Sequence, residues 1–320
     1  MDRPIVAFLH PVPGNPEVPG AVLTFGQLVT IPRPQLLDAV RGATVIVTWV
    51  TDRVDAELLD AAGPQLKAVC NFAVGYDNID LEACRARGVM VTNTPMAVNE
   101  GTADMAWTLL LAAARGLLPA DRYARSDDYP RNGPVGITDF LGMDISGRTL
   151  HIVGAGRIGY ATALRSLGWG MRVIYTDTER KLEFEMAPLA GKRVSLEDGL
   201  READVVSVHV PLLPTTRHLI NRDNIKLMKS TAILINTSRG PTVEEAALVE
   251  ALTSKKIYAA GLDVFEFEPR ISAELRALDN VVMTPHIGSA ERKWREVMTQ
   301  ITCENAAAVV AGKHPPNRVV

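Results

Sequence analysis

One stretch of the chain, residues 149–177 (TLHIVGAGRIGYATALRSLGWGMRVIYTD), constrains the fold more than any other. An apolar run leads into three glycines with the spacing G-x-G-x-x-G, and a helix pattern, a second apolar run and Asp177 follow. The order strand, glycine turn, helix, strand and acid is typical of a dinucleotide-binding βαβ unit. The alternative is a glycine-rich turn in another kind of α/β protein.

Each residue of this motif has a predicted role. Gly154 permits a tight turn, Gly156 lets the backbone approach a pyrophosphate, and Gly159 lets helix and strand pack closely. The first turn of the helix offers N–H groups and a positive dipole end to the phosphates. Asp177 is placed to accept hydrogen bonds from the adenosine ribose. Its charge opposes a 2′-phosphate and predicts NAD, while the nearby Arg180 leaves NADP as the alternative.

Composition narrows the class of protein. The 320 residues suit about two domains, and 47% hydrophobic with 22% charged residues is an ordinary globular balance. A net charge of −3 gives no basic field for nucleic acid or an anionic membrane. No apolar run reaches the roughly 18 residues of a membrane span, and the proline-broken N-terminus does not resemble a signal peptide. Three scattered cysteines suit a reducing compartment, so we expect a cytoplasmic protein without a metal ion.

Strands alternate with short helices on both sides of the glycine motif. The predicted strands outside it are residues 4–9, 43–49, 66–71, 89–92, 203–209, 232–236, 259–264 and 281–283. This rhythm predicts an α/β fold with two doubly wound parallel sheets. Residues 99–118 form the longest helix pattern and are apolar on much of its circumference, so we expect this helix to be buried between domains or against another subunit. Residues 125–140 are predicted to form a loop.

Ligands of open parallel sheets bind at the carboxyl ends of the strands. Three residues at such ends have the chemistry for acid–base work on an anionic carbonyl compound. Arg239 carries a permanent cation whose fork matches a carboxylate, and His286 can carry a proton near neutral pH. Glu268 can orient the imidazole and favour its protonated form. Each residue alone has a structural explanation, as a surface cation, a capped histidine or a solvated acid, but their common position predicts a site.

Several ordered blocks, from about residue 71 onward, carry a resemblance to a known family. They are NFAVGYDNID (71–80), RGVMVTNTP (87–95), GTADMAWTLLLAAAR (101–115), FLGMDISGRTLHIVGAGRIG (140–159), VHVPLLPTTRHLIN (208–221), ILINTSRGPTVEEAAL (233–248), AAGLDVFEFEP (259–269) and NVVMTPHIGSA (280–290). Together they resemble the D-isomer-specific 2-hydroxyacid dehydrogenases, and within that family most closely the glyoxylate/hydroxypyruvate reductases.

The resemblance implies a role for each matching residue. Arg239 would bind the substrate carboxylate and carbonyl, and His286 would be the catalytic acid/base with Glu268 as its partner. The loop Ala73, Val74 and Gly75 would offer backbone N–H groups to the carboxylate. The dinucleotide would be bound by Thr102, Gly154, Gly156, Arg157, Ile158, Gly159, Asp177, His209, Val210, Pro211, Thr237, Ser238, Arg239, Asp263, His286 and Gly288.

The resemblance also implies the architecture and the reaction. A Rossmann NAD-binding domain (97–287) would be inserted into a flavodoxin-like substrate domain (1–96 and 288–320), and the chain would form a homodimer through its long helix and the flanks of that helix. The expected reaction is the NADH-dependent reduction of a short 2-oxo acid to the D-2-hydroxy acid. A D-3-phosphoglycerate dehydrogenase-like enzyme and a dinucleotide-sensing co-repressor are the alternatives.

The chain departs from the pattern of glyoxylate reductases at one place that bears on the substrate. These enzymes commonly carry tryptophan in the loop that corresponds to residues 127–140, and this loop has none. Trp294, which follows the last block, is the residue we consider in its place. It is predicted either to form a wall of the substrate pocket or to pack between domains.

Overall fold

The computed structural model describes residues 3–27 and 30–320. Their contacts divide the chain into two compact units. Unit 1 contains the described residues of Met1–Val98 together with Ser289–Val320, and unit 2 contains Asn99–Gly288. The chain therefore leaves unit 1 once, builds all of unit 2, and returns.

Strands and helices are numbered along the chain. The strands are β1 (Ile5–Phe8), β2 (Val22–Phe25), β3 (Val45–Thr48), β4 (Ala68–Asn71), β5 (Met90–Thr92), β6 (Thr149–Val153), β7 (Arg172–Thr176), β8 (Lys192–Arg193), β9 (Val205–Val208), β10 (Ile233–Asn236), β11 (Ala259–Leu262) and β12 (Val281–Met283). The helices are α1 (Arg33–Ala39), α2 (Ala56–Ala62), α3 (Leu81–Ala86), α4 (Asn99–Ala114), α5 (Leu117–Arg125), α6 (Asp128–Asn132), α7 (Arg157–Arg165), α8 (Leu182–Glu185), α9 (Leu196–Glu202), α10 (Glu245–Thr253), α11 (Ala273–Arg276) and α12 (Arg292–Val310).

Unit 1 is a parallel sheet with the strand order β2-β1-β3-β4-β5. This is the order of flavodoxin-like folds. Every residue of β3 and β4 is buried, as expected for parallel strands covered on both faces. Helices α2 and α3 begin where the carboxylates of Asp55 and Asp80 accept the N–H groups of the first turn. The last helix, α12, packs on β3 and β4, which explains why the end of the chain belongs to this unit.

Unit 2 is a larger parallel sheet with the order β12-β11-β10-β9-β6-β7-β8. Counted from β6, it has the Rossmann order 3-2-1-4-5-6, extended by one strand. The strand order reverses between β6 and β9, beside the glycine turn that follows β6. The prediction of two parallel-sheet α/β domains is confirmed.

The helix predicted over residues 99–118 is two helices in the structure. Helix α4 ends at Ala114, and α5 begins after Gly116, whose φ of 56° places it in the left-handed region. Most of the apolar surface of α4 packs within unit 2, against α7, β10 and β11. Its apolar circumference is therefore explained by the core of its own unit. No helix in the described part of the chain is long and apolar enough to cross a membrane.

Short elements were missed where the sequence is polar. Helix α6 lies in the stretch predicted to be a loop, and α8, β8 and α9 were not predicted. Helix α9 has a clear start signal, because the hydroxyl of Ser195 accepts the N–H of Asp198. Helices α6 and α8 have five and four residues, and β8 has two. The formation of such short elements depends on packing rather than on a repeating sequence pattern.

The three cysteines are buried and unpaired. Burial raises the pKa of Cys70 to about 12 and that of Cys84 to about 11. Burial also raises the pKa of Cys303. Thiols in such surroundings stay protonated at neutral pH and are poor nucleophiles, so they act as small apolar residues of the core.

A buried histidine lies on the central strand of unit 2. His151 on β6 is 0% exposed, and its Nε2 lies 2.8 Å from Thr176 Oγ1. Its Nδ1 has no hydrogen-bond partner among the described residues. Gly199 on α9 packs directly on the imidazole ring, where any side chain would overlap it. Burial lowers the pKa of His151 to about 4, so the ring is neutral in the folded protein.

The stability of the protein should therefore fall in mild acid. The pKa of His151 is about 4 in the folded state and about 6.5 in an exposed chain, so the unfolded state binds more protons between these values. We expect the free energy of unfolding to fall by roughly 2 kcal/mol more in the wild type than in His151→Gln between about pH 7.5 and about pH 5. Guanidinium titrations at the two pH values measure this difference.

His314→Gln is the matched control for this experiment, because it removes an exposed histidine instead of a buried one. An equal loss of stability in the wild type and in His151→Gln would contradict the assignment.

Candidate active site

The glycine turn after β6 is fixed by two close approaches. Gly154 has a φ of 97°, and a Cβ atom there would lie 2.8 Å from the backbone of His209 and Val210. A Cβ atom on Gly159 would overlap the carbonyl oxygen of Gly154 and lie 2.9 Å from Ile152. Only glycine fits at both places. Gly156 differs, because the position of its Cβ has no neighbour within 4 Å and faces open space.

The helix that follows this turn begins without a cap. Helix α7 starts at Arg157 and has no side-chain hydrogen bond at its N-terminus. Within the described residues, the backbone N–H groups of Arg157 and Ile158 have no acceptor. Unpaired N–H groups at the positive end of a helix dipole, beside an open glycine, fit the pyrophosphate of a dinucleotide.

Asp177 lies next to the same turn. Its Oδ2 accepts the N–H of Ala155 at 2.9 Å, which ties the end of β7 to the glycine loop. Its Oδ1 accepts the N–H of Glu179 at 3.1 Å. Arg180, the residue that left NADP open, donates instead to Glu185 Oε2 at 2.7 Å. An Arg180 that pairs with Glu185 must give up that partner before it can bind a 2′-phosphate.

The other residues predicted to bind the dinucleotide also belong to unit 2. Those that follow the carboxyl ends of its strands are His209, Val210 and Pro211 after β9, Thr237, Ser238 and Arg239 after β10, Asp263 after β11, and His286 and Gly288 after β12. Thr102 is buried on α4, and its side chain lies close to Gly288. Burial lowers the pKa of His209 to about 3, so this imidazole is neutral, with its Nε2 2.8 Å from Ser207 Oγ.

The buried carboxylate of Asp263 organises the loop that carries His286. Its Oδ1 accepts the hydroxyl of Thr284 at 2.6 Å and the N–H of Ile287 at 2.8 Å. Its Oδ2 accepts the N–H of Gly288 at 2.7 Å, and a Cβ atom at residue 288 would lie 2.9 Å from this oxygen. His286 itself has a φ of 55°, which is unfavourable for a residue with a side chain. The three hydrogen bonds to Asp263 hold it in that conformation.

His286 and Glu268 form a hydrogen-bonded pair. Nδ1 of His286 lies 2.9 Å from Glu268 Oε2, and the other carboxylate oxygen accepts the N–H of Phe265 at 2.8 Å. Both side chains are about one third exposed, so small molecules can reach the pair. In the described part of the chain, Nε2 of His286 makes no hydrogen bond. An imidazole held at one nitrogen and accessible at the other is suited to transfer a proton.

Arg239 stands near the segment that carries Glu268. It follows β10 by three residues, and its Nη1 donates to the carbonyl oxygen of Ser238 at 2.9 Å. The next residue, Gly240, packs so closely on the peptide between Phe265 and Glu266 that any side chain would overlap it. Because β10, β11 and β12 are neighbours in the sheet, Arg239, Glu268 and His286 all lie at one edge of unit 2.

In unit 1, the predicted carboxylate loop presents unpaired N–H groups. The carbonyl oxygens of this loop are all occupied, that of Ala73 by Thr94 N–H, that of Val74 by Asn93 Nδ2 and that of Gly75 by Asn71 Nδ2. The N–H groups of Val74 and Gly75 donate to none of the described residues. The loop is thus held by its carbonyl groups and offers its donors to a ligand, as an anion-binding loop does.

The structure also shows residues that the sequence reasoning missed. A cavity of about 230 Å³ in unit 1 is lined by His10, Trp49, Phe72 and Arg295, among others. His10 and Trp49 follow the ends of β1 and β3, so the rule applied to unit 2 would have found them. Arg295 gave no such signal, because it lies on α12. Trp294 is not among the residues that line this cavity, and Lys293 Nζ lies 4.8 Å from the centre of its ring.

Known proteins are similar to this chain in sequence and in fold. The sequence profile for the D-isomer specific 2-hydroxyacid dehydrogenase, NAD binding domain, matches residues 107–288. A glyoxylate reductase from Thermococcus onnurineus is 49% identical over 293 residues, which are 90% of this chain and 86% of that protein. A crystal structure of a protein from Thermus thermophilus is 42% identical with a TM-score of 0.91, covering 99% of this chain and 100% of that one. The NADPH-dependent glyoxylate/hydroxypyruvate reductase of Sinorhizobium meliloti is 31% identical with a TM-score of 0.85, covering 99% and 98%.

These matches define an oxidoreductase that uses a nicotinamide dinucleotide. The chain belongs to the D-isomer-specific 2-hydroxyacid dehydrogenase family, and it is an NAD(P)-dependent enzyme of that family. The predictions of the family, of the enzyme class and of NAD as cofactor, with NADP as the alternative, are confirmed. Among the described residues, no group of three or more His, Cys, Asp or Glu side chains could hold a metal ion.

The charge at residue 177 should set the coenzyme preference. In Asp177→Ser, we expect the ratio of kcat/KM for NADPH to kcat/KM for NADH to rise at least about tenfold, because the repulsion of a 2′-phosphate is removed. Steady-state assays with both coenzymes measure it. Asp223→Ser is the control, since Asp223 is exposed and pairs with Lys226. An unchanged ratio in Asp177→Ser would assign the preference to other residues.

Proposed function

We propose that this chain reduces a short 2-oxo acid of the glyoxylate/hydroxypyruvate type to the D-2-hydroxy acid, with NADH as the preferred coenzyme. The observation that carries the proposal is the pair His286–Glu268, with its accessible Nε2. Relatives named glyoxylate reductase, 49% identical in one case, support the choice of substrate class. The pairing of Arg180 with Glu185 supports the choice of NADH.

The proposed roles divide between a proton donor and a cation. Bound NADH supplies the hydride that reduces the carbonyl carbon. His286, protonated, gives its Nε2 proton to the developing alkoxide, while Glu268 holds Nδ1 and stabilises the positive ring. Arg239 binds the carboxylate of the substrate through its planar fork and stabilises the charge that develops on the carbonyl oxygen.

We assign the binding roles by unit. Unit 1 is the proposed substrate domain, in which the N–H groups of Val74 and Gly75 receive a carboxylate oxygen. Unit 2 is the proposed cofactor domain. The orphan N–H groups at the start of α7 would bind the pyrophosphate, Asp177 the ribose, and the strand-end residues from His209 to Gly288 would line the remainder of the dinucleotide. Asp263 would also act as a positioning residue for His286, through the loop that it anchors.

Replacing the proton donor should separate chemistry from binding. In His286→Gln, kcat with glyoxylate should fall by about 10²–10⁴, the usual contribution of general acid catalysis. The affinity for NADH should change little, because this substitution keeps the volume and polarity of the side chain. Absorbance assays at 340 nm give kcat, and fluorescence titration gives the Kd of NADH.

Two further results bear on the same assignment. Removing the cation in Arg239→Met should raise KM and lower kcat together, since a carboxylate is held in ground state and transition state alike. A His286→Gln enzyme that kept most of its turnover would show that another group supplies the proton. A wild-type chain that binds NADH but reduces no 2-oxo acid would favour the co-repressor alternative.

We also propose that the chain acts as a cytoplasmic homodimer. A stretch of unit 2 after α4 exposes several large apolar side chains, among them Ile137, which is 97% exposed, and Leu141, which is 71% exposed. Leu117 and Tyr129 are about half exposed in the same stretch. Exposed apolar side chains clustered in one segment are typical of a surface that a partner covers, and a second copy of the chain is the partner that the family suggests.

Light scattering during size-exclusion chromatography tests the dimer. The wild type should have twice the mass of one chain, and the double variant Ile137→Asp, Leu141→Asp should shift toward the mass of a monomer, because buried charges oppose association. Leu182→Asp is the control, since Leu182 is 56% exposed elsewhere in unit 2. A wild-type monomer, or a double variant that stays dimeric, would contradict this interface.

A further inference from the structure

The cavity of unit 1 adjoins the loop that is proposed to hold the substrate carboxylate. It lies at the carboxyl ends of β1, β3 and β4 and has a volume of about 230 Å³. Phe72, which forms part of its wall, directly precedes Ala73. Val47, Trp49 and several prolines make much of the remaining wall apolar. The side chain of a ligand that is bound to the loop would extend into this cavity.

Arg295 lines this largely apolar cavity and has no carboxylate of the described residues beside it. The guanidinium of Arg295 lies 4.4 Å from the centre of the Trp49 ring, and its Nε donates to the carbonyl oxygen of Ser289 at 3.0 Å. Within residues 3–27 and 30–320, no carboxylate lies within ion-pair distance of it, and its Nη atoms donate no hydrogen bond. Burial lowers the pKa of Arg295, which reports that the cation is poorly solvated.

Other arginines of similar burial are neutralised. Arg33 pairs with Asp55 and Glu57, and Arg165 pairs with Glu100 and Asp104. A partly desolvated cation without a counter-ion is unfavourable, because protein charges are stabilised in such surroundings only when they are paired. Arg295 therefore differs from them in lacking an anionic partner among the described residues.

The carboxylate of Asp52, which contacts the cavity residues His10 and Trp49, is already engaged. Both oxygens of Asp52 lie within 3 Å of His10 Nε2, and Oδ2 also accepts the N–H of Trp49 at 2.7 Å. Asp52 is only 5% exposed. This network fixes His10 and the backbone of Trp49 at the cavity wall, and it engages both oxygens of Asp52 away from Arg295.

We propose that the cavity is a subsite for a second anionic group on the substrate, with Arg295 as its cation. This inference rests on the proposed function, and it extends the substrate class to 2-oxo acids that carry a carboxylate or a phosphate at the end away from the reacting carbonyl. The rings of Trp49 and Phe72 would pack on the methylene group of such a tail. The Nη atoms of Arg295 would donate hydrogen bonds to its anionic oxygens. Glyoxylate has no tail and would leave the cavity to water.

A comparison of kcat/KM among three 2-oxo acids tests this specificity. With NADH, we would measure kcat/KM for oxaloacetate, whose tail ends in a carboxylate, for 3-phosphohydroxypyruvate, whose tail ends in a phosphate, and for 2-oxopentanoate, whose tail is uncharged. The wild type should prefer at least one dianion to 2-oxopentanoate by about tenfold or more, as expected for one charge-assisted interaction. The dianion that is preferred identifies the tail as a carboxylate or a phosphate.

Arg295→Leu should abolish this preference, so that the ratio of kcat/KM for the dianion to that for 2-oxopentanoate falls by about tenfold. Arg295→Lys, which keeps the charge, should recover part of it. Arg292→Leu is the matched control, because Arg292 lies on the same helix with an 88% exposed side chain and should leave the ratio unchanged. A wild type that prefers 2-oxopentanoate, or an equal loss for all substrates in Arg295→Leu, would overturn the proposal.

A binding experiment separates this inference from the proposed function. Calorimetry in the presence of NADH would compare D-malate and 3-phosphoglycerate with glycolate, because a hydroxy acid and the reduced coenzyme cannot react with each other during the measurement. The Kd of at least one dianion should rise about tenfold more than that of glycolate in Arg295→Leu. If the wild type reduces no 2-oxo acid but this contrast persists, the proposed function fails and the subsite stands. If turnover is normal and the contrast is absent, the subsite fails alone.

Discussion

The candidate site of unit 2 depends on one buried carboxylate. Asp263 receives three hydrogen bonds from the loop after β12 and thereby keeps His286 in a left-handed conformation that this residue would not otherwise favour. Its own place directly after β11 makes it a fixed point of the sheet. The direction of the imidazole toward Glu268 follows from this anchor, because a ring on a mobile loop would lose that geometry. A buried carboxylate is stable only when hydrogen-bond donors satisfy its oxygens, as the three donors do here.

Charged side chains with little exposure to solvent fall into two groups in this structure. In unit 2, Asp263 is satisfied by backbone N–H groups, and neutral histidines such as His151 occupy the interior. In unit 1, Arg295 rests on an aromatic ring and has a carbonyl oxygen, but no carboxylate, among its described partners. Charges that only stabilise the fold have their partners within the protein. A charge that binds a ligand obtains its partner from that ligand. This contrast is the physical basis for reading the cavity of unit 1 as a binding site.

Residue patterns predicted much of the fold and of the candidate site because both depend on short sequence segments. Apolar runs located the buried strands, and the glycine spacing located the turn after β6. In a parallel sheet the ends of such strands share one edge, so Arg239 and His286 could be placed together before any coordinates. The prediction was wrong where one residue decides the outcome, as at Gly116, which divides a continuous apolar pattern into two helices. It also missed short polar elements, whose formation depends on tertiary contacts.

The sequence by itself determined the class of fold, the dinucleotide motif and the chemical types at the strand ends, since these are properties of local spacing. The tertiary structure decided which charges have partners. It paired Arg180 with Glu185 and engaged Asp52 with His10. It also brought Arg295 from the last helix to the ring of Trp49, with no carboxylate of the described residues beside it. These outcomes could not be read from the chain, because electrostatic energy depends on distance and burial rather than on sequence order. Trp49 and Arg295, for example, are separated by about three quarters of the chain.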